Sequence, residues 1–94
     1  MSTFCLIEIS IKNEKLYEEY MDIVPEVIKK YNGRYIIRSS HITPVTMDWT
    51  PDRIILVEFE NMDQLTSCFT SEEYKKIAPL RENSTKTRSI IIEN

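Results

Sequence analysis

The chain has 94 residues, of which 41% are hydrophobic and 29% are charged. This length and composition fit one globular domain spanning residues 1–94 and argue against a disordered chain. The net charge of -3 argues against a nucleic-acid module, because the 12 basic residues are scattered among 15 acidic ones and form no basic patch.

The N-terminal segment carries no basic region, and no apolar run approaches the ~20 residues of a membrane span. We therefore expect a cytoplasmic protein without membrane contact. The two cysteines, Cys5 and Cys68, are too few and too far apart in sequence for a metal cluster or a disulfide framework. They are predicted to be buried free thiols.

The first strand and the first helix follow from a change in the spacing of apolar residues. Residues 3–11 alternate, which indicates a strand with one wholly apolar face and one partly apolar face. From Asn13, the predicted N-cap, apolar residues recur at helical spacing. Pro25 lies inside this helix, so we expect a kink or a break near Val24. Gly33, the only glycine, is predicted to end the helix as a left-handed cap.

The middle of the chain predicts two strands joined by a long irregular loop. Arg34–Ser40 reads as the second strand. The segment His41–Asp52 contains two prolines and is too long for a tight hairpin. Arg53–Glu60 has apolar residues on both faces, which indicates a third strand that is buried on both sides.

The C-terminal part predicts another helical region and a last strand. Asn61 opens the second helix, and Gln64 three residues later gives a start that resembles a capping box. Ser71 caps a further short turn that reaches Arg81. Residues 87–93 then form the fourth strand.

This order of elements, βαββαβ, predicts an α+β, ferredoxin-like domain. Its four-stranded antiparallel sheet has the first and third strands at the centre and both helices on one face. The other face would expose an apolar patch formed by Phe4, Leu6, Ile54 and Leu56, which is larger than a soluble monomer usually tolerates. A second copy packed sheet to sheet is the predicted cover, because a chain this small buries only about 60 to 65% of its unfolded surface by itself. We therefore expect a barrel-like homodimer.

Several motifs are spread over nearly the whole length. They are Tyr17-Glu18-Glu19-Tyr20; Gly33-Arg34-Tyr35-Ile36-Ile37-Arg38; Trp49, Pro51 and Arg53 ahead of Leu56-Val57-Glu58-Phe59; and Ser71, Glu73, Tyr74 and Arg81. In these motifs the chain resembles the domain of unknown function 1330 family, short bacterial proteins of the dimeric α+β barrel superfamily. The resemblance implies a dimeric α+β barrel without an established activity. Ser39 and Ser40 stand where the family usually has a glycine pair, so the close backbone approach of a ligand that glycines allow is not expected there.

A small ligand pocket is predicted between the sheet and the helices. Its candidate lining residues are Tyr35, Arg38, Trp49, Glu58, Tyr74 and Arg81. The planar fork of Arg38 suits a carboxylate or a phosphate, and an ion pair with a strand glutamate such as Glu58 is the alternative. Tyr74 and Arg81 are two helical turns apart and share a face. The alternative is packing of Tyr74 beside a solvated Arg81.

Three further residues have competing interpretations. Trp49, in the long loop, is expected to cover the protein's own core or to anchor an interface, and less readily to contact a substrate; an anchor at the dimer seam is the preferred interpretation. Glu8 and Glu58 share the partly apolar face, but if Leu6 pairs with Leu56 they lie roughly 13 Å apart at ~3.3 Å per residue. They would then be too far apart for paired acid–base catalysis. Each could act alone as a general base or form an ordinary salt bridge.

His41 is the only histidine. Haem-degrading monooxygenases of the superfamily use a histidine as the axial iron ligand, so the resemblance makes His41 a candidate. Its place in the loop, away from any helix that faces the sheet, argues against that role. The chain has no Ser-His-Asp order, no phosphate-binding glycine loop and no metal-ligand spacing, so we expect no metal or cofactor.

Two functional hypotheses remain open. The first is a protein that binds a small organic acid, or a cofactor-independent enzyme of the monooxygenase or isomerase type, which rests on the superfamily alone. The second is a non-enzymatic homodimeric interaction module.

Overall fold

A computed structural model describes residues 2–94 of the chain. The elements in chain order are β1 (Thr3–Ile11), α1 (Glu14–Lys30), β2 (Arg34–Ser39), β3 (Arg53–Phe59), α2 (Met62–Phe69), α3 (Glu72–Ser84) and β4 (Thr85–Glu93). The strands form an antiparallel sheet in the order β2-β3-β1-β4. The predicted α+β, ferredoxin-like arrangement with β1 and β3 at the centre is confirmed.

Strand register divides the side chains of the sheet between two faces. Leu6 lies opposite Leu56 on β3, the pairing that the sequence argument assumed, and opposite Ile90 on β4. Its neighbour Cys5 lies opposite Val57. Because successive side chains point to opposite faces, the Cys5 set forms what we call the helix face, against which the helices pack. The Leu6 set forms the outer face, which includes Phe4, Leu6, Glu8, Arg34, Ile37, Ile54, Leu56, Glu58, Arg88, Ile90 and Ile92.

The hydrophobic core lies between the helix face and the helices. Phe59 at the end of β3 is completely buried. Its ring meets the edge of Phe69 at a centroid distance of 5.9 Å, and Phe69 meets Tyr74 at 5.0 Å. Cys5 and Cys68 are buried free thiols, as predicted. Burial raises the pKa of both thiols, that of Cys68 to about 12, so they behave as small apolar residues.

Helix α1 has well-formed caps at both ends. The side chain of Asn13 accepts a hydrogen bond from the backbone of Leu16 at 3.1 Å, which confirms the predicted N-cap. At the other end Asn32 takes the left-handed conformation, with φ of 63°. The backbone N–H of Asn32 donates to Lys29 and that of Gly33 donates to Ile28, which is the Schellman pattern. The prediction that Gly33 is the left-handed residue is therefore wrong; asparagine tolerates that conformation locally.

Gly33 is needed for a different reason. A Cβ atom at this position would lie 2.7 Å from Cε1 of Phe59 and 2.8 Å from Cγ2 of Ile28. The absent side chain lets the start of β2 pass directly over the core.

Both internal prolines lie within continuous helices. Helix α1 passes through Pro25 for 17 residues, so the predicted break is wrong. Helix α3 passes through Pro79 to the buried Ser84, so the predicted short turn is also wrong, and β4 begins two residues early at Thr85. A proline removes one backbone donor, and in each helix buried residues on both sides of the proline hold the two halves against the core.

The side chains of Asn61 and Ser71 accept the N-terminal hydrogen bonds of α2 and α3, as predicted. Residues 40–52 form neither helix nor strand, which agrees with the predicted loop. Within residues 2–94, no helix has the length and apolar character required to cross a membrane.

Candidate functional site

A cavity of about 380 Å³ lies between the helix face and the three helices. Small-molecule cavities in proteins span about 300 to 1,000 Å³. Most of the wall is aliphatic or aromatic, and neither a carboxylate nor a histidine of residues 2–94 belongs to it. The residues with oxygen or nitrogen in their side chains are Tyr20, Tyr35, Tyr74, Arg81, Thr87 and Ser89.

Two buried phenols form the polar centre of this wall. The hydroxyls of Tyr20, on α1, and Tyr74, on α3, share a hydrogen bond of 3.0 Å. Burial raises the pKa of Tyr20, and it raises the pKa of Tyr35 to about 12. The phenols of Tyr20 and Tyr35 are therefore protonated at neutral pH. Since one hydroxyl of the pair donates and the other accepts, the accepting hydroxyl keeps its proton for a further acceptor.

Arg81 adds a positive charge to the cavity. It lies on the same face of α3 as Tyr74, as the helical spacing predicts, and both side chains line the cavity. Its guanidinium is near enough to Tyr20 to oppose the upward shift of that pKa caused by burial. The Nε atom of Arg81 is buried and has no hydrogen-bond partner within residues 2–94. Over the same residues Arg81 makes no ion pair.

The cavity brings together some of the predicted pocket residues and not others. Tyr35, Tyr74 and Arg81 line it. Arg38 lies next to it, with its guanidinium carbon 4.4 Å from the ring centroid of Tyr35. The prediction of one shared pocket is wrong for Glu58 and Trp49, which line cavities elsewhere. A ligand-binding role for any of the predicted residues stays a prediction.

A β-bulge explains the position of Arg38. Strict alternation would place Arg34 and Arg38 on one face, but the register shifts between Tyr35 and Ile37. Arg34 therefore lies opposite Glu58, whereas Arg38 lies opposite Ile55 on the helix face. The ion pair of Glu58 is made by Arg34, at 2.7 Å from Nη2 to Oε1. The alternative interpretation of Arg38 as the partner of Glu58 is therefore wrong.

Trp49 belongs to a polar cluster on the outer face. Its indole N–H and the guanidinium of Arg88 both donate to the carboxylate of Glu8. The hydrogen bonds from Arg88 and then from Trp49 hold the pKa of Glu8 below its usual range. These side chains border a second cavity, of about 300 Å³, lined by Leu6, Glu8, Trp49, Ile54, Arg88, Ser89 and Ile90.

The two outer-face glutamates are far apart, as predicted. Glu8 lies opposite Ile54, whereas Glu58 lies opposite Phe4. These positions are four residues apart along β1, with three residues between them, and each carboxylate has its own arginine. Within one chain they cannot act together on one substrate atom.

His41 is exposed in the loop, and its backbone N–H donates to the side chain of Ser39 at 3.0 Å. It lines neither of the two cavities described above. In the described part of the chain no group of three or more potential metal-ligating side chains comes together. The axial-ligand role that the superfamily implies for His41 has no geometric support.

Sequence reasoning missed Tyr17, Tyr20 and Arg53 as polar groups of interest. Tyr17 and Tyr20 belong to the buried stripe of α1; the sequence placed Tyr20 in the apolar repeat of the helix and Tyr17 only in the motif Tyr17-Glu18-Glu19-Tyr20. Their hydroxyls were the available signal, because a tyrosine on a buried helix face carries a polar group that needs a partner in the interior.

The family model described as Domain of unknown function (DUF1330) matches residues 2–94. The chain belongs to this family. No curated protein sequence matches it.

Solved structures of similar fold include proteins of unknown function and one enzyme. A protein of unknown function from Rhodopseudomonas palustris is 13% identical, with a TM-score of 0.80 over 99% of this chain and 82% of that one. A dimeric ferredoxin-like protein of unknown function from Jannaschia sp. CCS1 is 10% identical, with a TM-score of 0.75 over 100% of both chains. The cofactor-independent oxygenase SnoaB from Streptomyces nogalater is 5% identical, with a TM-score of 0.73 over 99% of this chain and 92% of that one. At such identities the likeness shows the fold alone.

Proposed function

We propose that the protein binds a small, largely apolar organic acid in the cavity on the helix face, with Arg81 holding the carboxylate. The observation that carries this proposal is the buried Nε of Arg81, which lacks a partner within residues 2–94 in a cavity whose wall is mostly apolar. An unpaired buried donor costs about 1–3 kcal/mol, more when it is charged. A carboxylate at this position removes that cost.

The other groups of the wall define the rest of the ligand. A guanidinium binds a planar carboxylate through two parallel N–H donors, which a point charge cannot do. The free proton of the Tyr20–Tyr74 pair can donate to a second oxygen. The aliphatic wall accommodates a ring or a short hydrocarbon chain.

The wall supports binding better than acid–base catalysis. A general base needs a pKa near the working pH, whereas Tyr35 titrates at about 12 and neither a carboxylate nor an imidazole of residues 2–94 lines the cavity. Cofactor-independent monooxygenase or isomerase chemistry stays a hypothesis, because the likeness to SnoaB extends to the fold alone.

We also propose that the protein is a homodimer whose outer faces pack together. Ile37, Ile90 and Ile92 on that face are more than two-fifths exposed, and the similar protein from Jannaschia sp. CCS1 is described as dimeric. Trp49 is then an anchor at the edge of the interface. Sedimentation at micromolar concentration should give about twice the 11.2 kDa of one chain. A species of one chain alone would contradict the dimer.

Thermal denaturation with benzoate and with hexanoate tests the binding proposal. The variants are Arg81→Gln and, as a matched control, Arg34→Gln on the outer face. A carboxylate at 100 times its dissociation constant stabilises the folded state by about 2.7 kcal/mol. In a domain of this size that raises the Tm by about 10 °C or more. We expect this shift in the wild type and in Arg34→Gln, and less than half of it in Arg81→Gln.

Benzamide provides the control for charge, because it keeps the ring and lacks the carboxylate. An equal shift with benzamide, or an undiminished shift in Arg81→Gln, would contradict the assigned role of Arg81. If no compound changes the Tm while the dimer is present, the alternative of a non-enzymatic homodimeric module is favoured.

A further inference from the structure

A second set of unpaired polar atoms lies on the helix face, outside the cavity that contains Arg81. Tyr17 is only 4% exposed, and its hydroxyl has no hydrogen-bond partner within residues 2–94. The buried Nε of Arg53 also lacks a partner within the same residues. Neither residue lines the first cavity. Two unpaired polar groups, one on α1 and one on β3, therefore lie outside the first cavity.

The sheet brings a second arginine to the same place. Arg38 on β2 lies opposite Ile55, and Arg53 is two residues before Ile55 on β3. The two arginines are therefore diagonal neighbours on one face, which is within reach of long side chains. This juxtaposition depends on the β-bulge, since without it Arg38 would point to the outer face.

The hydroxyl of Tyr17 lies within electrostatic reach of both guanidiniums. Burial raises the pKa of Tyr17; the charge of Arg53, a side-chain contact from Arg53 and, more weakly, the charge of Arg38 oppose this shift. The Tyr17 hydroxyl and the Arg53 Nε nevertheless do not reach hydrogen-bond geometry with each other. The contact that Arg53 does make is a long one, at 3.4 Å from Nη1 to Oγ of Ser40.

No neighbouring acid of the described chain neutralises these arginines. Neither Arg38 nor Arg53 forms an ion pair within residues 2–94. Asp52, beside Arg53, accepts the backbone N–H of Ile11 at 2.8 Å. Glu14 is exposed in the first turn of α1 and acts on Tyr17 from a distance. Like charges on diagonal neighbours of one face repel each other, and a bound anion relieves that repulsion.

We propose that Tyr17, Arg38 and Arg53 form a second binding site, separate from the Arg81 cavity, for a small oxyanion. The hydroxyl of Tyr17 and the Nε of Arg53 donate to the anion from the buried side. Arg38, which is exposed, contributes its charge from the solvent side and leaves the site open to entry. Carboxylates and phosphates both offer the required acceptor oxygens.

Inorganic phosphate and acetate are the two probes. The Tm is measured as each replaces chloride at constant ionic strength, in the wild type, Arg53→Gln, Tyr17→Phe and the control Arg34→Gln. We expect a rise of several degrees in the wild type and in Arg34→Gln, reduced by more than half in Arg53→Gln and in Tyr17→Phe. The stronger of the two probes identifies the oxyanion as a phosphate or a carboxylate. An equal rise in all four proteins, or none in the wild type with either probe, would overturn the site.

Two further measurements make the test specific. In chloride alone Tyr17→Phe should keep or raise the Tm, because the hydroxyl it removes has no partner; a fall of several degrees would overturn the proposal. Arg81→Gln should retain the full response to the stronger probe, and loss of that response would assign the effect to the first cavity. The oxyanion site and the proposed organic-acid site can thus fail independently.

Discussion

The two faces of the sheet leave opposite kinds of chemical group without a partner. On the helix face the apolar residues of β3, such as Val57, which is 1% exposed, are covered by the helices. The unpaired atoms there are polar, on Tyr17, Arg53 and Arg81. On the outer face the carboxylates of Glu8 and Glu58 are paired with arginines, whereas isoleucines such as Ile90 remain exposed.

This difference indicates what each face binds. An unpaired buried donor is satisfied by a few well-placed acceptor atoms, which a small anion supplies. Covering an exposed apolar surface stabilises a complex in proportion to the area buried, at roughly 25 cal/mol per Å² removed from water. Small ligands therefore suit the helix face, and a second protein surface suits the outer face.

The largest expected effect comes from placing a charge on each face of the same strand. Ile90 and Ile91 are neighbours on β4, 58% and 49% exposed, and point to the outer face and the helix face respectively. Ile90→Asp should weaken the dimer by about 100-fold or more, because it buries an unpaired carboxylate between the two sheets. Ile91→Asp should leave the dimer intact. Sedimentation over a concentration series measures the dimer dissociation constant of each variant.

Equal dimer constants for the two aspartate variants would mean that the outer face is not the interface. Circular dichroism on both proteins shows whether the monomer fold survives. We expect it to survive, since each side chain is about half exposed in the single chain.

A smaller effect is expected from removing single hydroxyls on α1. Tyr20→Phe leaves the buried hydroxyl of Tyr74 without its partner, so it should lower the free energy of unfolding by about 1–3 kcal/mol. Urea denaturation in chloride measures this loss. The same change three residues earlier, Tyr17→Phe, provides the control because its hydroxyl has no partner within residues 2–94. Similar losses for both variants would contradict the distinction between a paired and an unpaired phenol.

The smallest effect concerns acid stability on the outer face. Arg88, and then Trp49, keep the pKa of Glu8 low in the folded protein. Stability from this carboxylate is therefore present above its unfolded pKa of about 4.3, and is lost as the pH falls through the lower folded value. The unfolding free energy of Glu8→Gln should fall less steeply below about pH 4.3 than that of the wild type.

Glu26→Gln is the control for this pH series, since Glu26 is an exposed glutamate on α1. It should follow the wild-type curve. If Glu8→Gln also follows that curve, the cluster of Glu8, Trp49 and Arg88 contributes nothing to acid stability.

Local pattern predicted much of the fold. The period of two in β1 and β3 placed Leu6 and Leu56 on one face and led to their observed pairing. The caps Asn13, Asn61 and Ser71 were predicted correctly, because a cap depends on a side chain and a backbone N–H three residues away. Predictions failed where packing outweighs local preference, as at Pro25 and Pro79, where burial on both sides of the proline keeps the helix whole.

The sequence by itself determined the order of the elements, the two faces of the central strands and the shared face of Tyr74 and Arg81, since each follows from spacing along one element. Only the tertiary structure decided which polar groups meet. One bulge in β2 moves Arg38 to the helix face and leaves Glu58 to Arg34, and the packing of α1 against α3 joins Tyr20 to Tyr74. Pairings between elements depend on register and side-chain direction in three dimensions, and a shift of a single residue reverses the face to which a side chain points.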